Sequence, residues 1–229
     1  MKNKHDFGTL LKNRLARVIE SPVSELEFSN EFELLVAVML SAQCTDKRVN
    51  MVTRELFKKY KTPNDFARLS QSELEENIKS CNYYHNKAKN IILASQMLVE
   101  KFGGQVPSDY DNLIKLPGVG NKTANVVLVV GFGKSAFPVD THVLRVSNRL
   151  GIVNTDNPTE CEHVLCEYFD PEDYGLMHHL ILLFGRYNCK AKNPNCSDCV
   201  IGDICKFKIN TSTMQNKKKW VYYVVFKKI

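Results

Sequence analysis

The sequence predicts an all-α protein. Apolar residues recur at three- and four-residue spacing through most of the chain, as in the segments 10–18 and 32–40. Helix-start signals precede several of these segments, and glycines follow them. No alternation of apolar and polar residues typical of strands precedes residue 210. We therefore expect about ten helices joined by short loops.

Local capping signals predict where individual helices begin and end. Thr45-Asp46 opens one helical segment, and Ser72 with Glu75 has the spacing of a capping box at the start of another. Gly103-Gly104 and Gly151 predict helix ends, because glycine adopts the left-handed conformation that often follows the last turn.

Residues 210–229 have a different composition. They contain the segment Trp220-Val-Tyr-Tyr-Val-Val-Phe226, which is rich in strand-favouring residues, with lysines on both sides. They form a basic aromatic tail that is predicted either as a packed or poorly ordered extension with charged flanks, or as a segment that contacts phosphate or a membrane surface.

Length, charge and cysteine usage exclude several classes of protein. A chain of 229 residues can bury a core without disulfides. It shows no signal-peptide pattern and no apolar run long enough to span a bilayer, so we expect a cytoplasmic protein whose eight cysteines serve as ligands or core residues. The net charge is +6, but five lysines of the tail leave only +1 for the remainder. Overall charge therefore does not predict a nucleic-acid partner.

A helical hairpin is predicted over residues 108–131. A short amphipathic helix opened by Ser108 leads into Leu116-Pro-Gly118-Val119-Gly120, and an apolar helix follows as far as Gly131. Glycines two residues apart permit a tight turn and close approach of another backbone. The amides around Gly118 and Gly120 would then face out from the N-terminus of the second helix, where they suit a phosphate. Such a contact grips DNA without reading bases.

Lys122 lies in the first turn of that second helix. The positive end of a helix dipole disfavours an ammonium group and favours loss of its proton. A lysine in this position is therefore a candidate nucleophile for Schiff-base chemistry at C1′ of a deoxyribose. A solvent-exposed lysine that faces phosphates remains the alternative.

Asp140 is predicted to be the N-cap of a further helix, after the extended segment Phe137-Pro-Val139. Helix amides would keep its carboxylate ionised. It could then assist deprotonation of Lys122 and stabilise positive charge on the sugar as a base departs. The residues His142 and His178-His179 have no ligand spacing to any cysteine, so they are interpreted as structural.

Four cysteines near the C-terminus have the spacing C-x6-C-x2-C-x5-C, and they are Cys189, Cys196, Cys199 and Cys205. Such an array of soft thiolates favours a [4Fe–4S] cluster. Structural zinc remains the alternative, although zinc ribbons usually offer two C-x2-C pairs and this array has one. The loop between the first two cysteines contains Lys190 and Lys192, which could contact phosphate or be solvated.

These motifs together resemble the bacterial endonuclease III family of helix-hairpin-helix DNA glycosylases. The resemblance is carried by LPGVGNKTANVVL, by the VDTHV segment and by the cysteine array, in this order, and it runs from about residue 5 to 209. It implies a six-helix barrel domain with the hairpin at 22–135 and an iron–sulfur cluster domain at 1–21 plus 136–209, flanking a DNA cleft. The tail has no counterpart in the family pattern.

The resemblance also implies roles for individual residues. It makes Lys122 and Asp140 catalytic, the four cysteines cluster ligands, and Gln43 the residue that fills the hole left by an extruded nucleotide. A loop that usually reads Gly-Leu-Tyr is Asn82-Tyr83-Tyr84 here, so Tyr83 would stack on the orphaned partner base. Asn121 replaces the basic residue that usually precedes the lysine.

The activity implied by the resemblance is base-excision repair. Lys122 would displace an oxidised pyrimidine from double-stranded DNA through a Schiff base, and β-elimination would cut the strand at the abasic site. A monomer associated with the nucleoid, with no membrane partner, is expected.

Two other functions compete with this interpretation. An adenine mismatch glycosylase would need a glutamate where Ala37 stands, and that family lacks a lysine at the place of Lys122. A non-catalytic iron–sulfur protein that binds DNA or senses redox state would keep the hairpin and the cysteines but would need neither Lys122 nor Asp140.

Overall fold

The computed structural model of the chain describes residues 3–209, and the tail at 210–229 lies outside the described residues. The described part is helical and contains no strand, which confirms the predicted all-α class. No helix in this part is long and apolar enough to cross a membrane. The helices are α1 Lys4–Leu15, α2 Glu31–Ser41, α3 Asp46–Lys59, α4 Pro63–Ala67, α5 Gln71–Ile78, α6 Tyr84–Phe102, α7 Tyr110–Leu113, α8 Asn121–Phe132, α9 Thr141–Leu150, α10 Pro158–Cys166 and α11 Tyr174–Tyr187, with a 3₁₀ turn at Pro171–Asp173.

Within residues 3–209 the chain divides into two compact units, one formed by Val23–Pro138 and the other by the described residues before and after that range. The first contains α2 to α8, and the second contains α1 and α9 to α11. The assignment of a six-helix barrel domain to 22–135 and of an iron–sulfur cluster domain to 1–21 plus 136–209 stays a prediction.

Helix α2 is the centre of the first unit. Every residue from Phe32 to Leu40 is buried, because α3, α6 and α8 all pack against this helix. Helices α4 and α5 pack on α6 and complete the core. An apolar helix surrounded on several sides is a rigid base for the loops at its ends.

The second unit is built on α11, which packs against α9 and α1. Leu11 and Leu15 of α1 and Leu180 of α11 are fully buried. Arg14 pairs with Asp203, and Lys12 Nζ donates to Asp173 Oδ2 at 2.6 Å. The first pair holds the N-terminal helix on the segment that carries the cysteines, and the second holds it on the 3₁₀ turn before α11.

The predicted caps at Thr45, Asp140, Gly103 and Gly151 are confirmed. The one predicted at Ser72 is wrong, because Ser70 accepts the Glu73 amide and α5 begins at Gln71.

Both ends of the predicted hairpin also differ from the structure. The first helix is capped by Asp109 rather than opened by Ser108, since the Asp109 carboxylate accepts the Asn112 amide. The second helix continues past Gly131 to Phe132, and it ends at Gly133, whose φ is 62°.

Candidate active site and iron–sulfur site

The turn of the helical hairpin depends on Gly118. Its φ is +79°, and a Cβ atom at this position would lie 2.8 Å from Asn90 Cβ and 3.0 Å from Met39 Cε. Only glycine fits such a close approach at positive φ. The turn is thereby seated against α6 and α2, which fixes where α8 begins.

The hairpin presents main chain to solvent. Gly118 and Gly120 are exposed, whereas the side chains of Leu116 and Val119 are 2% and 6% exposed and belong to the hydrophobic core. Leu116 and Val119 therefore anchor the turn, and contacts with DNA here would come from backbone amides. Gly120 is the N-cap of α8 and no side chain caps that helix, so its first amides have no partner within the helix.

Lys122 is exposed in the first turn of α8, two residues after Gly120. The preceding Asn121 accepts a hydrogen bond from Asn125 Nδ2 at 2.9 Å, which occupies its side-chain oxygen. Lys122 thus belongs to the same helix end as the amides that suit an anion.

Asp140 is the N-cap of α9. Its Oδ1 atom accepts the amides of His142 and Val143 at 2.9 and 2.8 Å. Both capping bonds use one oxygen, so the carboxylate can serve as a cap and still offer charge through Oδ2. Asp140 and Lys122 belong to different units.

Gln43 and Tyr83 lie on two neighbouring loops of the first unit. Gln43 follows α2 and is exposed, and Tyr83 precedes α6 with 63% of its surface exposed. Both have positive φ, 53° and 58°, although neither is a glycine. The side chain of Asn82 donates from Nδ2 to the Gln43 carbonyl at 2.7 Å. The structure therefore brings these two predicted DNA-contacting residues onto connected loops.

The four cysteines of the array line one pocket of about 390 Å³, including the part open to solvent. None of them forms a disulfide. Burial raises the pKa of the Cys199 thiol, and the neighbouring sulfurs of Cys205, Cys189 and Cys196 raise it further. Crowded thiols of this kind suit a cationic centre, which would stabilise them as thiolates.

Two arginines of α9 hold the first cysteine in place. Arg149 Nη1 lies 3.2 Å from Cys189 Sγ and donates to the Lys190 carbonyl at 2.7 Å. Arg145 donates to the carbonyls of Gly185 and Cys189 at 2.8 and 3.2 Å. Positive charge and N–H donors next to a ligand sulfur favour its thiolate form.

The residues present therefore fit an iron–sulfur cluster. No group of three or more His, Cys, Asp or Glu side chains within residues 3–209 stands at the spacing of a single ion, whereas an iron–sulfur cluster bonds each cysteine to a different iron. The four thiols, Arg149 and the apolar side chains of Phe184 and Ile201 line the same pocket.

The sequence interpretation missed Lys87, Arg145 and Arg149. A signal existed for Lys87, because it falls four residues before Ile91 on the buried face of α6, where a lysine is unusual. The two arginines are four residues apart on one face of α9, but their carbonyl partners lie forty or more residues later in the chain.

Known proteins share both sites. Residues 36–171, more than half of the chain, match the model of the HhH-GPD superfamily of base-excision DNA repair proteins, and residues 189–205 match the iron–sulfur binding domain of endonuclease III. The chain is 53% identical over 183 residues to endonuclease III of Bacillus subtilis, covering 80% of this chain and 84% of that relative. It is 43% identical over 187 residues to endonuclease III of Escherichia coli K12, covering 82% and 89%.

A solved structure described as a trapped endonuclease III–DNA covalent intermediate, in an estranged-adenine complex, has 45% sequence identity and a TM-score of 0.88. The match covers 93% of this chain and all of that one. The helical hairpin and the cysteine pocket thus define a helix-hairpin-helix DNA glycosylase of base-excision repair. More particularly, the chain belongs to the endonuclease III family, and it is a DNA glycosylase and AP lyase with a [4Fe–4S] cluster.

Proposed function

We propose that this enzyme removes oxidised pyrimidines from double-stranded DNA and cuts the resulting abasic strand, with Lys122 as the nucleophile. The observation that carries the proposal is the exposed Lys122 in the first turn of α8, beside the glycine turn that suits a phosphate. The covalent DNA complex of the 45% identical relative supports chemistry that passes through a bond between enzyme and DNA.

The reaction begins with extrusion of the damaged nucleotide, since C1′ cannot be reached in a stacked duplex. The neutral amine of Lys122 attacks C1′, the glycosidic bond breaks, and the base leaves with a proton. Loss of a proton and opening of the sugar give an imine. The imine acidifies the C2′ protons, and removal of one of them expels the 3′ phosphate. Water then hydrolyses the imine and frees the lysine.

We assign Asp140 the task of accepting a proton from Lys122 and stabilising the cationic sugar. Its Oδ1 atom is held by the amides of His142 and Val143, which leaves Oδ2 for this task.

The remaining contacts with DNA follow from the exposed loops. The amides around Gly118 and Gly120 bind a phosphate, Gln43 fills the vacated place in the helix, and Tyr83 stacks on the partner base. The cluster is structural, and it holds the loop with the exposed Lys190 and Lys192 for a further phosphate contact. The enzyme acts as a monomer associated with the nucleoid.

Borohydride trapping tests the proposal. The enzyme is incubated with a duplex that contains one thymine glycol, the imine is reduced, and the covalent protein–DNA band is measured. The Lys122→Ala variant should give no band while still binding the duplex. The matched control is Lys115→Ala, which removes another exposed lysine of the same hairpin. Lys115 donates a hydrogen bond to Asn112 of that hairpin, and its replacement should leave the covalent band as strong as that of the parent. An undiminished band with Lys122→Ala would rule out this nucleophile.

A further inference from the structure

Two loops of the first unit are joined by a side chain that the usual family loop does not have. We name residues 42–45 the Gln43 loop and residues 81–83 the Tyr83 loop. The Asn82 side chain donates from Nδ2 to the Gln43 carbonyl at 2.7 Å. The Gly-Leu-Tyr loop typical of the family has a glycine at the place of Asn82 and therefore offers no such donor. The link is a property of this chain.

A buried lysine of α6, directly after the Tyr83 loop, also bonds to the end of α2, where the Gln43 loop begins. Lys87, only 8% exposed, donates from Nζ to the carbonyls of Leu40 and Ala42, both at 2.7 Å. These carbonyls end α2, where they lack partners within the helix and where a positive charge is favoured. Burial lowers the pKa of Lys87, so placing an ammonium group here is costly and its two bonds offset that cost.

A third contact closes the arrangement. Cys81 is 1% exposed, burial raises the pKa of its thiol, and the neighbouring Cys44 raises that pKa further, so the two side chains lie close together. Each cysteine belongs to one of the two loops, since Cys44 follows Gln43 and Cys81 precedes Asn82. The loops are thus connected at their bases by the thiols, at the end of α2 by Lys87, and near their tips by Asn82.

Both loop tips have a backbone conformation that needs such support. Gln43 and Tyr83 are non-glycine residues with φ of 53° and 58°. Positive φ is unfavourable for residues with a Cβ atom, and it persists only where the surroundings hold it. The three connections therefore set the positions of two exposed side chains in advance.

We propose that Asn82 and Lys87 are positioning residues that join Gln43 and Tyr83 into one preformed wedge, which enters the duplex as a unit. The inference rests on the proposed function, in which these two side chains insert into DNA. When the two loops already have the inserted conformation, no conformational entropy is lost in ordering them during insertion. The preformed wedge therefore speeds extrusion of a base that is still paired and stacked. It matters less for an abasic site, where no base has to be unstacked.

The proposal is tested with Asn82→Gly, which restores the usual family residue, and with Asn82→Asp, which has the same shape but cannot donate. Asn82 is exposed, so both variants should fold, whereas Lys87 is buried and its replacement could unfold the enzyme. Asn86→Ala, an exposed asparagine in the first turn of α6, is the matched control.

Two single-turnover rates are compared, base excision from a thymine-glycol duplex and strand cleavage at a preformed abasic site. We expect both Asn82 variants to slow excision about three- to ten-fold, the worth of one hydrogen bond, while abasic cleavage stays within about two-fold of the parent. A 2-aminopurine next to the lesion should brighten correspondingly more slowly, which reports the extrusion step itself. The control should match the parent in every assay.

The Gln43→Ala variant separates the possible failures. If it slows excision but the Asn82 variants do not, or if they slow both rates equally, the preformed wedge is wrong and the proposed function stands. If Gln43→Ala leaves excision unchanged, the insertion role assigned to Gln43 fails, and the preformed wedge fails with it.

Discussion

Asp140 combines a structural task with a proposed catalytic one, and the two depend on different properties of the side chain. The cap needs an oxygen that accepts the amides of His142 and Val143, and an asparagine offers one as well as an aspartate does. Catalysis needs the negative charge. Substitutions can therefore separate the two tasks.

Asp140→Asn should retain the fold and lose the reaction. We expect its free energy of unfolding to stay within about 0.5 kcal/mol of the parent, while base excision falls by a factor of 100 or more, roughly what a positioned acid–base group contributes. Asp140→Ala should lose activity and also about 1 kcal/mol of stability. Urea unfolding and single-turnover excision provide the measurements. Full excision by Asp140→Asn would refute the role of the charge.

Arg149 acts on the cluster site through its geometry as well as its charge. It donates to Cys189 Sγ and also to the carbonyls of Lys190 and Ala191 at 2.7 and 3.0 Å. The planar guanidinium reaches these acceptors from two separate nitrogens, whereas an ammonium would have to bond all of them from one.

Arg149→Met should therefore release iron faster. On exposure to a chelator we expect the rate of loss of the cluster absorbance to rise about ten-fold, since contacts beyond the ligands typically change metal retention by that factor or more. Lys190→Ala is the matched control, because it removes one exposed positive charge from the same loop. If both variants lost the cluster absorbance equally fast, and faster than the parent, the effect would come from positive charge alone.

At the scale of elements, the hairpin is set by how closely its turn approaches two other helices. Gly118 meets Asn90 of α6 and Met39 of α2, whereas no atom lies within 4 Å of the place where a Cβ of Gly120 would stand. The two glycines are equivalent in the sequence motif but not in the packing.

Gly118→Ala should destabilise the enzyme by about 2 kcal/mol or more, because the methyl group clashes with Asn90 and adds strain at positive φ. Gly120→Ala should cost about 1 kcal/mol or less, the difference between glycine and alanine at an N-cap. Thermal or urea unfolding of both variants measures the contrast. Equal losses would show that the approach to α6 and α2 does not fix the turn.

At the scale of the whole molecule, a buried histidine couples stability to pH. His179 is 8% exposed, and burial lowers its pKa below the usual 6.5, although a hydrogen bond with the Gly175 carbonyl at 2.9 Å acts in the other direction. The folded protein therefore binds a proton less readily than the unfolded chain. As the pH falls below 6.5, the unfolded chain binds more protons at this site than the folded protein does. The free energy of unfolding therefore decreases until the pH reaches the folded pKa of His179.

His179→Gln should weaken this dependence, because glutamine is neutral at every pH and can still donate to the Gly175 carbonyl. Between pH 6.5 and 5 the parent should lose stability more steeply than the variant, by at most about 1.4 kcal/mol per pH unit for one proton. Urea unfolding under anaerobic conditions measures both slopes. Parallel curves would exclude His179 as the source.

The sequence by itself determined the features that depend on neighbours along the chain. The cap at Thr45, the cap at Asp140 and the helix ends at Gly103 and Gly151 follow from local hydrogen bonding and from the φ that glycine permits. The spacing of the four cysteines likewise indicated the cluster, since the ligands lie within seventeen residues. The cap predicted at Ser72 was wrong by two residues, because Ser70 accepts the Glu73 amide.

Only the tertiary structure decided the features that need partners far along the chain. Gly131 looked like a helix end, but α8 continues past it, and a Cβ atom at this position would lie only 3.0 Å from Leu34 of α2. The sequence interpretation assigned no role to Lys87, and it treated Asn82 only as a departure from the family loop. Their partners lie 39 to 47 residues earlier, at the end of α2. Such contacts depend on how the helices pack, and periodicity along one helix does not specify the distant atom that its side chain meets.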